Sequence, residues 1–301
     1  MKAWALTAFG GPDGFTPVDI ATPEAGPGQV LVRTAAIGIN GLECKIRAGW
    51  LEREFPTPLP AVLGKEFAGT VVALGDGAAG FSVGDRVVGF ADSGTYAEHA
   101  VARTGALAVL PDALAFADAV TLPVAVETAV RGIRALGVRA GWTVVVNGAA
   151  GAVGGTAVQL LVRQGATVIG TASEPNHEHL TALGATPVAY GPGVAARIRD
   201  HGAVDAVFDV TGHGFAATAV ELTGDPRRVL TIADFAAAAL GVLTSTGPAA
   251  PTAEPFAPVV ALAAAGGFRT VVDRVFPFAD LPAAHVRSDG GHVRGKVVVT
   301  C

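Results

Sequence analysis

A chain of 301 residues exceeds ordinary single-domain size, so two domains are expected, with ample length for a large core. Half of its residues are hydrophobic and only 16% are charged, which excludes a disordered or tail-like binding protein. The formal charge of −5 comes with no basic stripe, so nucleic acid is not expected as a partner, and two cysteines, Cys44 and Cys301, exclude a disulfide framework and suit a reducing cytoplasm.

In chain order, Met1 to Leu6 reads as a first strand and lacks the features of a secretory signal. Short alternating segments punctuated by Gly and Pro follow, at 4–9, 29–38, 69–74, 85–90 and 95–101, and predict a β-rich, partly closed barrel. Within it, Gly80-Phe81-Ser82-Val83-Gly84 satisfies a serine-hydrolase pattern. Ser82 nevertheless precedes a strand, not a helix, and reads as a turn residue. Cys44 reads as a small buried hydrophobe. From Ala113 the pattern turns helical. Strands are then predicted at 143–146, 167–171, 186–189, 203–209, 228–232 and 241–244, with helices between them at 153–164, 177–183, 194–200, 215–222 and 255–265. Six parallel strands with crossovers make a doubly wound α/β sheet. Strand-like 271–276 and 296–300 are left to return to the first domain, which divides the chain into 1–120 plus 271–301 and 121–270. The charge-free stretches 140–162 and 235–253 carry glycines, prolines and hydroxyls unsuited to lipid, so no membrane span is expected.

The most informative stretch is 143–159, a β-branched strand turning on glycines into a helix. Gly151 lets backbone approach a pyrophosphate favoured by the helix N-terminus, and Gly154 lets that helix pack on the strand. Ala149 replaces the first glycine of the usual fingerprint, but the flanking strand and helix support a dinucleotide site.

Taken together, Gly38-Ile39-Asn40-Gly41, Leu63-Gly64-Lys65-Glu66-Phe67-Ala68-Gly69, Val83-Gly84-Asp85-Arg86-Val87, Gly94-Thr95-Tyr96-Ala97-Glu98, the 148–154 turn and Gly295-Lys296-Val297-Val298 resemble the medium-chain dehydrogenase/reductase superfamily, in its zinc-independent quinone oxidoreductase branch. The resemblance implies a GroES-like β-barrel catalytic domain plus a Rossmann domain, and a homodimer joined near 241–246. Aligned on these motifs, Asn40 and Lys65 stand where the superfamily's zinc enzymes place a Cys and a His, and the third ligand position, near Leu122, is also non-coordinating. An amide and an ammonium do not replace thiolate and imidazole, so no metal is expected. The cluster His177-Glu178-His179 offers none either, because i and i+2 residues on a helix point apart.

For the cofactor, Gly170 is read at the position where an NAD-specific carboxylate would stand, about 20 residues beyond the glycines. A 2′-phosphate would then meet no like charge and bond to Ser173, Asn176 and, by resemblance, Tyr190, which makes NADPH the expected cofactor. The resemblance adds Thr128, Ala149, Ala150, Gly151, Ala152, Val153, Thr171 and Ile232 as cofactor contacts. Without zinc as Lewis acid, the expected reaction is hydride delivery from NADPH to a quinone or an α,β-unsaturated carbonyl, with Asn40 and Lys65 as candidate donors to the developing oxyanion. Lys65 reads equally as an exposed barrel charge. Trp50 aligns with an aromatic pocket position, with core packing as the competing reading, and Glu127 is an acid in an apolar helix placed near the substrate. A biosynthetic enoyl or ketone reductase and a non-catalytic NADPH-binding sensor or structural protein are the alternatives.

Overall fold

The computed structural model describes residues 1–301. The chain begins with β1 (Lys2–Leu6), β2 (Phe15–Asp19), β3 (Gln29–Ile39), α1 (Gly41–Arg47), β4 (Ala61–Val62) and β5 (Glu66–Leu74). It continues with β6 (Arg86–Phe90), β7 (His99–Arg103), β8 (Leu107–Val109) and α2 (Phe116–Ala119). Strand and helix then alternate: α3 (Pro123–Leu136), β9 (Thr143–Asn147), α4 (Ala152–Arg163), β10 (Thr167–Ala172), α5 (His177–Ala182), β11 (Thr186–Ala189), α6 (Val194–Arg199), β12 (Ala206–Asp209), α7 (Ala216–Thr223), β13 (Val229–Thr231) and β14 (Leu243–Thr244). The final elements are α8 (Ala257–Ala264), β15 (Val272–Pro277), α9 (Leu281–Asp289) and β16 (Lys296–Thr300).

Two compact units result, Met1–Pro123 with Pro251–Cys301, and Val124–Ala250. The first differs from the sequence-based division in holding residues 121–123 and 251–270. Phe256, fully buried, meets Phe90 edge-on with ring centroids 5.6 Å apart, and the Ala253 amide donates to the Gly105 carbonyl at 2.9 Å. The eleven-residue β3 is the spine of this unit. It pairs antiparallel with β5 along one edge and shares its other edge between β7, over Gln29–Arg33, and β16, over Ala36–Ile39. The predicted return of 296–300 is thus a strand of the seven-stranded sheet, flanked by β15 and β3. A smaller sheet, β2-β1-β4, packs its Leu6 and Phe15 into the core with Ile37, Ile39 and Val297.

The second unit is a six-stranded sheet, order β11-β10-β9-β12-β13-β14, parallel throughout. Its central strands are apolar on both faces, as helix-covered parallel strands require. Val144, Val146 and Val168 point into one cluster with Ala157, Val158 and Leu161 of α4, and Val145, Ile169 and Val207 into another with Ile198, Ala216 and Ala219. Each fully buried Val, Leu or Ile side chain of this kind contributes about 1.5–3 kcal/mol. A Cβ at Gly132 of α3 would lie 2.5 Å from the Phe208 ring, so that glycine permits helix and sheet to close on the largest side chain of β12. No helix is long and apolar enough to cross a membrane.

Candidate functional site

In the second unit the strand-to-helix turn has a built cradle. Gly148 takes φ of +86°, and a Cβ at Gly154 would lie 2.2 Å from the Gly148 carbonyl oxygen, so both are glycines for the protein's own packing. Gly151 is different. A Cβ there would meet nothing nearer than 3.7 Å, yet the residue caps α4 in extended conformation with no side-chain hydrogen bond. Packing tolerates a methyl at this point, and its omission leaves open space at a twelve-residue helix's N-terminus, where first-turn amides have no intrahelical acceptor. That is the space and charge a pyrophosphate needs. Ala152 and Val153 begin the helix and offer such amides. The amide of Ala149 donates to the Thr171 carbonyl at 3.0 Å, so Ala149 serves the turn through its backbone and its buried methyl. Ala150 and Ile232 are half-buried beside the same core.

The methyl of Ala149 explains Gly170. A Cβ at Gly170 would lie 2.8 Å from Ala149 Cβ and 3.0 Å from Leu180 Cδ1. Gly170 is therefore the interior complement of the alanine that replaced a fingerprint glycine, and the reading of it as the ribose-facing position is corrected. Strand β10 continues to Ala172, which leaves Ser173 as the first polar side chain beyond its end. Ser173 Oγ accepts from Asn176 Nδ2 at 3.0 Å, so two of the expected phosphate ligands stand together. Tyr190, at the end of β11, is 51% exposed. Glu127 is committed: Arg131 donates Nε at 2.8 Å, the Thr128 hydroxyl donates at 3.4 Å, and Arg131 also bonds Ser245. The Nε2 of His177 is shielded from solvent with no partner at the base of the Ser173–Asn176 turn.

In the first unit Asn40 ends β3 and begins α1, but its side chain does not cap the helix. Its Oδ1 accepts from Lys296 Nζ at 2.5 Å, and its Nδ2 donates to Glu66 Oε1 at 3.0 Å and to Glu43 Oε1 at 3.4 Å. These partners fix the amide's orientation, since only the oxygen can meet an ammonium. Lys296 and Glu66 form a buried ion pair at 2.5 Å. Gly38 makes the arrangement possible, because a Cβ there would lie 2.3 Å from Glu66 Oε1. Lys65, the other expected donor, is exposed and places Nζ 5.9 Å from the Phe55 ring centroid. The lysine that meets Asn40 is Lys296, and its sequence signal is a lone cation opening an apolar strand. Trp50 is 76% exposed, which removes core packing as its explanation.

The second acid of this cluster is Glu43, 2% exposed, with Oε2 lacking any hydrogen-bond partner. Its carboxyl is pushed up to about 7, first by burial and then by Glu66, against its backbone hydrogen bond, Lys296 and Asn40. A folded value above the unfolded 4.5 means that Glu43 contributes stability fully below pH 4.5 and loses it as pH rises to about 7. Glu43→Gln is expected to escape that loss, so thermal unfolding from pH 4 to 8 should show the variant gaining roughly 3 kcal/mol on wild type with rising pH. Parallel curves for the two proteins would refute it.

Other sequence candidates resolve simply. Ser82 sits in a turn, its amide bonded to Asp85 Oδ2 at 2.7 Å. Cys44 is buried, its Sγ 3.4 Å from His285 Nδ1, while His285 Nε2 lies 3.0 Å from the Tyr96 hydroxyl. Burial pushes the Cys44 thiol up to about 12 and His285 down to about 3, so neither is poised as nucleophile or base. No three His, Cys, Asp or Glu side chains come together to hold a metal ion. Residues 26–112 match the family described as alcohol dehydrogenase GroES-like domain, and 183–299 the one described as zinc-binding dehydrogenase. The zinc named in that second description does not fit Asn40, Lys65 and buried Leu122 as a donor set. A 2-methylene-furan-3-one reductase of Solanum lycopersicum is 31% identical, across 99% of this chain and 79% of its own. An NADPH-dependent alkenal/one oxidoreductase, chloroplastic, of Arabidopsis thaliana matches with the same identity and shares. The structure of the quinone oxidoreductase from Coxiella burnetii superposes with a TM-score of 0.90 at 28% identity, covering 100% of this chain and 99% of that one.

Proposed function

We propose, for a chain that belongs to the medium-chain dehydrogenase/reductase superfamily, the reduction of quinones or α,β-unsaturated carbonyls by NADPH without zinc. It is an oxidoreductase, and the observation that carries the cofactor is the space left at Gly151 on the N-terminus of α4. NADPH supplies the hydride when bound. Gly151 admits its pyrophosphate, the α4 amides bind it, and Ser173 with Asn176 offers hydrogen bonds to a 2′-phosphate. In the first unit Asn40 offers an N–H to the acceptor oxygen as negative charge develops. Its bond to Glu66 is short, so the hydrogen released is the one held on the long 3.4 Å bond to Glu43. Lys296, fixed on Asn40 Oδ1, polarises the amide and strengthens that donor.

A panel of quinones and enones, followed by loss of NADPH absorbance with NADH in parallel, tests the reading. At least one acceptor is expected to turn over with NADPH preferred, and Asn40→Ala should lower kcat on it by roughly ten- to a thousand-fold with NADPH affinity nearly constant. Melting temperatures exclude misfolding. Preference for NADH, or an undiminished rate in a folded Asn40→Ala, overturns the corresponding part.

A further inference from the structure

Four neighbouring strands of the second unit carry a polar residue in one register, the last residue of β9, β12 and β13 and the last but one of β10. Thr171 of β10 pairs with Asn147 of β9, Asn147 with Asp209 of β12, and Asp209 with Thr231 of β13. All four are buried, at 1%, 6%, 0% and 0% exposure. Their side chains bond across the strands. Thr171 Oγ1 accepts the Gly148 amide at 3.1 Å and donates to Asn147 Oδ1 at 2.6 Å. Asn147 Nδ2 donates to Asp209 Oδ1 at 2.8 Å and to Thr211 Oγ1 at 2.9 Å. From the other side, Thr231 Oγ1 accepts the amides of Ala233 and Asp234, each at 3.2 Å, and donates to Asp209 Oδ2 at 2.9 Å. Asp209 Oδ1 also receives the amides of Gly212 and Thr211 at 3.0 and 3.2 Å.

The donors converge on Asp209 from both sides. Asp209 accepts without donating, and each hydroxyl of the row has an amide on one side and an acceptor on the other, so its proton has a single place to go. Sheet stability does not require this, since replacing both partners of a buried hydrogen bond by apolar groups of the same shape can be nearly neutral or stabilising. What the row does hold is backbone: the glycine-rich turn at Gly148, the turn at 211–212 and the turn at 233–234, all leaving the carboxyl ends of the strands. In open α/β sheets ligands bind outside that edge.

We infer that this row is the positioning device of the phosphate-cradling turn, with Thr171 coupling it to Gly148. Thr171, a cofactor contact by resemblance, spends its hydroxyl inside the protein and acts through the backbone. The inference rests on the cofactor reading above and adds a residue role to it.

Thr171→Val is isosteric and leaves Gly148 N–H without an acceptor and Asn147 Oδ1 without that donor, whereas Thr171→Ser keeps both bonds. Titration of the full-length proteins with NADPH, read by cofactor fluorescence, is expected to show affinity reduced tenfold or more in Thr171→Val and within threefold of wild type in Thr171→Ser. Amide exchange at Gly148 and Ala149 should quicken in the valine variant alone, and its KM for the acceptor at saturating cofactor should stay within twofold. Should Thr171→Val not fold, Asp209→Asn probes the coupling from its far end, with the same loss of affinity expected. If wild type binds and the valine variant binds equally, or if serine is as weak as valine, the positioning role is overturned while the cofactor reading stands. If wild type binds neither NADPH nor NADH, the cofactor reading falls and takes the positioning role with it.

Discussion

Lys296→Met is expected to destabilise the first unit by about 3–5 kcal/mol, because it leaves Glu66 buried with its counter-charge removed and Glu43 beside it. Glu66 has 0% side-chain exposure and Lys296 2%, so water does not reach in to replace the ammonium. Asn40 cannot compensate, since it already donates to Glu66 and loses the donor on its own oxygen. In a thermal melt the transition of this unit should fall by roughly 10 °C. The double variant Lys296→Met with Glu66→Leu removes both charges and should recover most of the loss. A single variant that melts with wild type would mean that the pair is not desolvated in solution, and the account of the cluster would fail with it.

Gly170→Asp is expected to disable the second unit, and Ser173→Asp to change its cofactor preference. The first places a carboxylate among Ala149, Leu180 and Ala185, with its Cβ already 2.8 Å from a neighbouring methyl. Overpacking and an unpaired buried charge together cost several kcal/mol, on the order of 3–5. Loss of soluble protein or a much lowered melting temperature is the result to look for. Ser173 lies beyond the strand end and is only half-buried, so an aspartate fits there without repacking. It presents an acceptor to ribose hydroxyls and a like charge to a 2′-phosphate, and the ratio of NADPH to NADH affinity should fall by roughly ten- to a hundred-fold, one to three kcal/mol. Normal folding of Gly170→Asp with a switched preference would restore the sequence-based assignment of Gly170.

These two cases show what was legible in the chain and what was not. The parallel sheet could be read because its central strands β9 and β10 are buried on both faces and rich in β-branched residues; the edge strand β11, and β16 in the other unit, also match expectation to the residue. The Rossmann turn could be read because Gly151 and Gly154 follow from local geometry. Gly170 was misplaced because spacing from the glycines ignores that β10 runs to Ala172, and because its partner, the Ala149 methyl, is a contact that no local pattern reveals. Helices α1 and α9 escaped for a common reason. They turn Glu43, Arg47 and His285 inward, so the apolar period that announces a helix is interrupted by the residues that matter. Lys296 was legible only as the first residue of a strand, since its partners lie 256 and 230 residues away.

The first unit is interrupted by the second, and its buried Glu66 is paired with a lysine from β16. A ribosome therefore delivers Glu43 and Glu66 long before it delivers Lys296, while every residue of Val124–Ala250 is already available. Until β16 arrives, the far half of β3 has one neighbour instead of two, and the two carboxylates remain hydrated because burying them uncompensated is too costly. The usual order of synthesis, in which the amino-terminal domain folds first, is expected to be inverted here, with the later unit closing while the earlier one waits. The place of β16 between β15 and β3 is what brings Lys296 to Glu66.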